Sequence, residues 1–199
     1  MSDAAGTGGA GSTGASPPAW VEAVRRTGKP HVLLLCGLTG AGKSHLARQL
    51  EASLPALRFT VDEWMIALFG EHLPRPVHDE RFATLEALTW DTARRTLALG
   101  VHVVLDYGFW RRATRQRTAA LALEAGATPL VVHLDVPLGE LERRLAARNA
   151  TLPSGTYTIT PAMLAAFAAR FEPPSEDEGI ALVRLGMQPH HALRGEPRR

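Results

Sequence analysis

The sequence predicts an α/β fold, a parallel sheet with helices on both faces, and two observations carry that expectation. Apolar or β-branched runs at 31–36, 57–61, 101–105, 130–134 and 180–185 alternate with segments of helical periodicity. Between the first run and the first helical pattern, Gly37-Leu38-Thr39-Gly40-Ala41-Gly42-Lys43-Ser44 fits G-x-x-x-x-G-K-[ST] at every defined position. Strands joined through helices take right-handed crossovers, and such sheets bind ligands beyond the carboxyl ends of their strands.

Each element follows from its residues. Residues 1–18 are Gly, Ala, Ser, Thr and Pro with almost no large apolar side chain, which predicts a flexible tail. Trp20–Arg26 reads as a short helix. His31–Cys36 is the first strand, and Ser44–Leu50 is a helix turning Leu46, Ala47 and Leu50 inward. A second strand, Leu57–Val61, ends at Asp62; Glu63–Phe69 is helical, and 70–76 is a loop. A longer helix, Asp79–Leu99, closes on Gly100, and the third strand, Val101–Leu105, ends at Asp106. The helix Arg111–Glu124 stops at Gly126. A strand, Leu130–Leu134, then precedes the helix Leu138–Arg148. A polar connection at 149–160, a short helix Ala162–Phe171 and an acidic loop Glu172–Gly179 lead to the last strand, Ile180–Leu185. One domain at 19–188 results, with a lid at about 144–160 and a second tail at 189–199.

Composition narrows the function. With 199 residues, 45% hydrophobic and 21% charged, the chain has the make-up of a soluble protein, and a formal charge of +2 does not by itself imply nucleic acid. Lys29 and Lys43 are the only lysines, so Lys43 is hard to read as filler. Cys36 is the only cysteine, which excludes an internal disulfide and a cysteine-rich metal site and suits a small buried side chain. The chain has no run near the roughly 18 apolar residues of a membrane span and no basic-then-apolar leader, so the expected location is cytoplasmic. His31, His45, His72, His78, His102 and His133 show no metal-ligand spacing.

The loop carries the first chemistry. Gly37, Gly40 and Gly42 let the backbone close around phosphate oxygens, and the helix N-terminus adds N–H groups and a positive dipole end. Gly37, Leu38, Thr39, Gly40, Ala41, Gly42, Lys43, Ser44 and the following His45 are therefore the candidate ATP-binding residues, with Lys43 on the β- and γ-phosphates and Ser44 on Mg²⁺. Gly37, Asp62 and Asp106 each follow a strand, so all three converge on one rim. Asp62 there suits a general base for an acceptor hydroxyl, or else caps the next helix. Asp106 suits a Mg²⁺ partner acting through water, an acceptor contact, or a turn residue. Arg144 and Arg148 share a helix face as phosphate clamps or as exposed partners of Glu140 and Glu142. Phe109 and Trp110 beside Arg111, Arg112, Arg115 and Arg117 suit stacking on a ring and holding an anionic acceptor, or a solvated helix face over a buried tryptophan. The acceptor pocket is expected from 62–82 and 106–117, with Trp64, Phe69, Tyr107, Trp110 and Arg111 as candidates.

GLTGAGKS at 37–44, TVDEW at 60–64, VVLDYGFW at 103–110, LERRLAARN at 141–149, TYTITPAML at 156–164 and RFEPPSEDE at 170–178 together resemble a family of small P-loop kinases. These are AAA-type ATP-binding proteins of the nucleoside-monophosphate-kinase-like group, relatives of zeta toxin, chloramphenicol phosphotransferase and polynucleotide kinase. The resemblance covers roughly 31–185. It implies a five-stranded P-loop NTPase sheet of order 2-3-1-4-5, a small arginine-bearing lid, Asp62 as base, and catalytic roles for Lys43, Arg144 and Arg148. It implies ATP and Mg²⁺ as cofactors and a small-molecule hydroxyl as acceptor. Met65 stands where polynucleotide kinases carry an arginine, which argues against a 5′-hydroxyl polynucleotide acceptor. That activity and a non-catalytic ATP sensor are the alternatives; the oligomeric state is open.

Overall fold

The computed structural model describes residues 17–70, 73–151 and 156–186. Residues 1–16 of the expected tail at 1–18, the whole expected tail at 189–199, 71–72 of the expected loop and 152–155 of the expected lid lie outside the described residues.

Five parallel strands form one sheet in the order β2-β3-β1-β4-β5: β1 (His31–Cys36), β2 (Ala56–Phe59), β3 (His102–Gly108), β4 (Thr128–Leu134) and β5 (Ala181–Leu185). All of β1 is buried, as an unbroken apolar run demands of a strand covered on both faces. Its alternating side chains feed two cores. Leu33 and Leu35 pack on one side with Val21 of α1 (Ala19–Arg26), Leu50 of α2 (Lys43–Ser53), Leu141 of α6 (Leu138–Thr151) and Leu164 of α7 (Pro161–Ala168). Val32, Leu34 and Cys36 pack on the other with Ala93 and Leu97 of α4 (Arg75–Ala98) and Ala122 of α5 (Arg112–Glu124). Burial pushes the Cys36 thiol up to about 11, so it behaves as the small buried side chain expected. Among the described residues no helix is long and apolar enough to cross a membrane.

The expected boundaries shift at two places that matter. β2 stops at Phe59, and α3 (Val61–Phe69) begins two residues earlier than expected, so Asp62 lies in a helical first turn and not directly after a strand. The reason is tertiary. Val61 is β-branched and reads as strand, but its side chain is buried with Met65 and Leu85 of α4 on a helical spacing. β3 runs past Asp106 to Gly108 because β1 keeps pairing with it, Cys36 opposite Gly108 after a register shift. α4 starts at Arg75 with a proline in its first turn, where the missing N–H costs nothing. α6 extends to Thr151, and three residues of the acidic loop form a short 3₁₀ helix, Glu176–Glu178.

Away from the strand ends that carry the rim, the His31 N–H donates to His102 Nδ1 at 2.9 Å, and the two rings lie 5.5 Å apart. Burial holds both imidazoles, and that of His133, below their ordinary pKa. The unfolded chain then binds more protons just below pH 6.5, so stability is complete above that pH and is lost as pH falls. Each unit of depression is worth about 1.4 kcal/mol. His102→Asn, which keeps an acceptor where Nδ1 stands, is expected to flatten the fall of the urea midpoint between pH 7 and pH 5. An unchanged slope would remove His102 from this account.

Candidate active site

The phosphate loop joins β1 to α2. Gly40 and Gly42 have φ of 87° and 100°, and a Cβ on Gly37, itself at φ 148°, would stand 2.9 Å from the Leu134 carbonyl oxygen. Gly42 is the N-cap of α2 and offers no side chain to the first-turn N–H groups, which leaves them for an anion. Lys43 Nζ donates to the Gly37 and Leu38 carbonyls at 3.0 Å each. The loop is also tied to the end of β3: the Gly37 N–H donates to Gly108 O at 3.1 Å, and Trp110 Nε1 donates to Gly37 O at 3.0 Å.

A cleft of about 700 Å³ opens over this loop. Thr39, Gly40, Gly42, Lys43, Ser44 and His45 line it from the loop side. Asp62, Asp106, Trp110, Arg144 and Arg148 line it from the other elements. Of the remaining sequence candidates, Gly37, Leu38 and Ala41 shape the loop from beneath and do not line the cleft. Arg111 faces elsewhere and bonds Glu172 at 2.9 Å. Trp64 lies edge-on to Phe59 at 5.9 Å, and Phe69 packs under the Arg81 guanidinium at 4.3 Å, both outside the cleft. Tyr107 lines the cleft as expected, and Thr60 is one of several lining residues that periodicity does not single out, Arg48 and Ile159 among them; its signal is its place one step beyond β2.

The charges in the cleft influence one another. Asp62 is exposed where it opens onto the cleft, although many protein atoms surround its carboxyl. Lost hydration pushes its carboxyl above the ordinary value; Lys43 pulls it down and Asp106 pushes it further up. Lost hydration lowers the Lys43 ammonium, against the pull of Asp106 and Asp62. Asp106 is buried and accepts from Thr60 Oγ1 at 3.3 Å. Arg144 bonds Glu140 at 2.6 Å and reaches the Ala41 carbonyl at 3.5 Å. Arg148 donates to Tyr157 O at 3.0 Å, its Nε is buried without a hydrogen bond, and among the described residues no carboxylate neutralises it. Burial lowers its pKa.

The donor set can be tested against Mg²⁺. Ser44 and Asp106 supply hard oxygens, and no group of three or more His, Cys, Asp or Glu gathers for a metal among the described residues. That fits a cation held by one carboxylate, one hydroxyl, waters and phosphate oxygens.

The arginines after Asp106 have internal partners. Arg115 is fully buried and grips Glu178 through Nε at 2.8 Å and through Nη2, while Nη1 donates to Phe109 O at 2.9 Å and Glu172 O at 2.8 Å. Arg112 bonds Asp177 at 2.7 Å, and Arg117 pairs with Glu86 at 3.5 Å. Arg111, Arg112 and Arg115 thus clamp the 172–178 segment, while Arg117 stays exposed on the α5 surface.

A glycine loop feeding a helix N-terminus in a sheet of order 2-3-1-4-5 defines a P-loop NTPase fold of the kinase-like type. The family model AAA_33, an AAA domain, matches residues 32–174, and the chain belongs to that family. Among solved structures it is similar to a "putative kinase" from Chloroflexus aurantiacus, with TM-score 0.63 and 21% identity over 80% of this chain and 86% of that one. Chaetomium thermophilum Kti12, solved with ADP-AlF3, gives TM-score 0.60 and 16% identity over 81% of this chain and 92% of that one. A chain of the Pnkp1/Rnl/Hen1 RNA repair complex gives TM-score 0.59 and 21% identity over 72% of this chain and 44% of that one. A search of curated proteins returns no match.

Two measurements check the charge arrangement. In an NMR titration the Asp62 carboxyl is expected above the ordinary carboxylate value, Asp106→Asn should lower it and Lys43→Met should raise it further. A wild-type value at or below the ordinary one would contradict the crowding described. Arg115→Met should cost about 3–5 kcal/mol in a denaturant melt, because it strands the Glu178 carboxylate in the core. A loss below about 1 kcal/mol would mean Glu178 finds water instead.

Proposed function

We propose that the chain is an ATP- and Mg²⁺-dependent phosphotransferase that moves the γ-phosphoryl group to a hydroxyl of a small molecule. One observation carries the reading: Asp62, its carboxyl held above the ordinary value, shares a cleft with the phosphate-loop Lys43 and with Arg148, which no carboxylate neutralises among the described residues. A nucleotide sensor has no use for that carboxylate, whereas an acceptor hydroxyl does. The cleft volume also falls in the range of small-ligand sites.

In this reading the first-turn N–H groups of α2 and Lys43 hold the β- and γ-phosphates. Asp62 takes the proton of the acceptor hydroxyl as its oxygen bonds the γ-phosphorus, and the bond to the bridging oxygen breaks to release ADP. Arg144 and Arg148 spread over the charge that develops on the transferring group. Ser44 and Asp106 would hold Mg²⁺, which when bound neutralises phosphate charge. Asp62 has only to orient and deprotonate, since the barrier in phosphoryl transfer is largely one of position and charge.

The polynucleotide alternative drew on the arginines at 111–117. Arg111, Arg112, Arg115 and Arg117 bond Glu172, Asp177, Glu178 and Glu86, so they offer a nucleic-acid backbone little free charge, and support for that reading falls.

The test is ADP release from ATP against a panel of aminoglycosides, other antibiotics, sugars, nucleosides and 5′-hydroxyl oligonucleotides. Stimulation by one small-molecule class is expected. Lys43→Ala should abolish it, and Asp62→Asn should abolish transfer while leaving ATP affinity within a few-fold. Full turnover by Asp62→Asn would remove the base assignment, and stimulation by the oligonucleotide alone would transfer the reading to nucleic-acid ends.

A further inference from the structure

We propose that Thr60 is a positioning residue whose hydroxyl, polarised by Arg58, fixes the Asp106 carboxylate for the Mg²⁺ that accompanies the triphosphate; the inference rests on the phosphotransfer reading above. The parallel pairing of β2 with β3 sets Phe59 opposite Leu105, so the next residues along, Thr60 and Asp106, are neighbours at the rim. Both are buried, both line the cleft, and Thr60 Oγ1 lies 3.3 Å from Asp106 Oδ2.

Thr60 occupies the N-cap position of α3, where a threonine hydroxyl ordinarily accepts from the first-turn N–H groups. Here it makes no such bond. Its acceptor capacity goes instead to Arg58 Nη1. A guanidinium only donates, so the hydroxyl proton must point away from Arg58, and the acceptor within reach is Asp106 Oδ2. The order of donation is therefore fixed: Arg58 to Thr60, Thr60 to Asp106. Oδ1 of Asp106 carries no hydrogen bond among the described residues.

Arg58 is itself held from two sides. Glu51 of α2 accepts from its Nε at 3.4 Å and from its backbone N–H at 3.2 Å, and Glu63 of α3 accepts from Nη1 at 3.1 Å. The relay thus ties the helix bearing Lys43 and Ser44 to the helix bearing Asp62 and ends on the carboxylate between them. Mg²⁺ demands near-octahedral geometry, so a carboxylate free to rotate serves it less well than one with a pinned oxygen. Partners that orient a metal ligand in this way are worth about 10–100-fold in metal affinity.

The experiment is ATP affinity by calorimetry with excess Mg²⁺ and with EDTA, for the wild type, Thr60→Val and Thr60→Ser. The expected result is that Thr60→Val loses about tenfold or more of the Mg²⁺-dependent gain with its EDTA affinity unchanged, and that Thr60→Ser recovers it. A gain unchanged in Thr60→Val overturns the proposal. So does an equal loss with and without Mg²⁺, or no recovery in Thr60→Ser, since either marks a packing role alone. If Thr60→Val melts below the assay temperature, Arg58→Met is measured in its place, with the same loss expected and an unchanged gain overturning the relay. A wild type whose ATP affinity ignores Mg²⁺ strikes the phosphotransfer reading first, and the inference falls with it.

Discussion

The enclosed guanidinium of Arg115 is the contact on which the site's geometry depends. Its four hydrogen bonds to Glu178, Phe109 and Glu172 fasten α5 to a segment about sixty residues further along and to the turn after β3. That turn is strained: Phe109 has φ of 44°, a conformation non-glycine residues seldom adopt, and a Cβ on Gly108 would stand 2.8 Å from Trp110 Nε1. The Arg115 bond to Phe109 O, the Cys36 thiol donating to the same oxygen at 3.4 Å, and the Glu172 N–H on Trp110 O at 2.9 Å keep it in place. The turn in turn presents the indole N–H to Gly37 O, at the base of the phosphate loop. Burial disfavours both charges of the pair, yet the mutual bonds hold Glu178 below its ordinary pKa and Arg115 above. A buried ion pair is weak evidence for net stability, and its use here is to fix one geometry.

Charge around the cleft is arranged with the same economy. Arg144 is neutralised by Glu140, which its two arginine partners hold at about 2. Among the described residues Arg148 has no such carboxylate, and Lys43 is satisfied by loop carbonyls while Asp62 and Asp106 supply opposite charge nearby. A partly desolvated cation without a counter-ion is unfavourable until an anion binds, which makes Arg148 and the α2 N-terminus the places where an anion entering the cleft would gain most.

Local signals made most of the fold legible. The apolar run 31–36 and the glycine spacing that follows are dictated by residues within a few positions of one another, and β1 and the loop fall where they were expected. Gly100 and Gly126, at φ 77° and 75°, end α4 and α5 as expected. The boundary between β2 and α3 was not legible. Thr60-Val61 favours strand by side-chain type, and the helix wins because Val61 and Met65 meet Leu85 from another helix. The arginines at 111–117 were opaque for a stronger reason: Glu172, Asp177 and Glu178 are close only after β5 has joined the sheet. A charge pattern on one helix cannot announce partners that distant.

What the sequence does encode about the site is the register, and the register does the assembling. Parallel pairing carries the ends of β1, β2 and β3 to one edge, with Phe59 opposite Leu105 and Cys36 opposite Gly108. The residues just past those pairs are Thr60, Asp106 and Gly37, drawn from three strands and brought together without a loop long enough to wander. A slip of one residue in β2 would turn Phe59 out of the core and Thr60 away from Asp106 at once. Core packing and site geometry are therefore held by the same constraint: the apolar side chains that lock the register also align the rim.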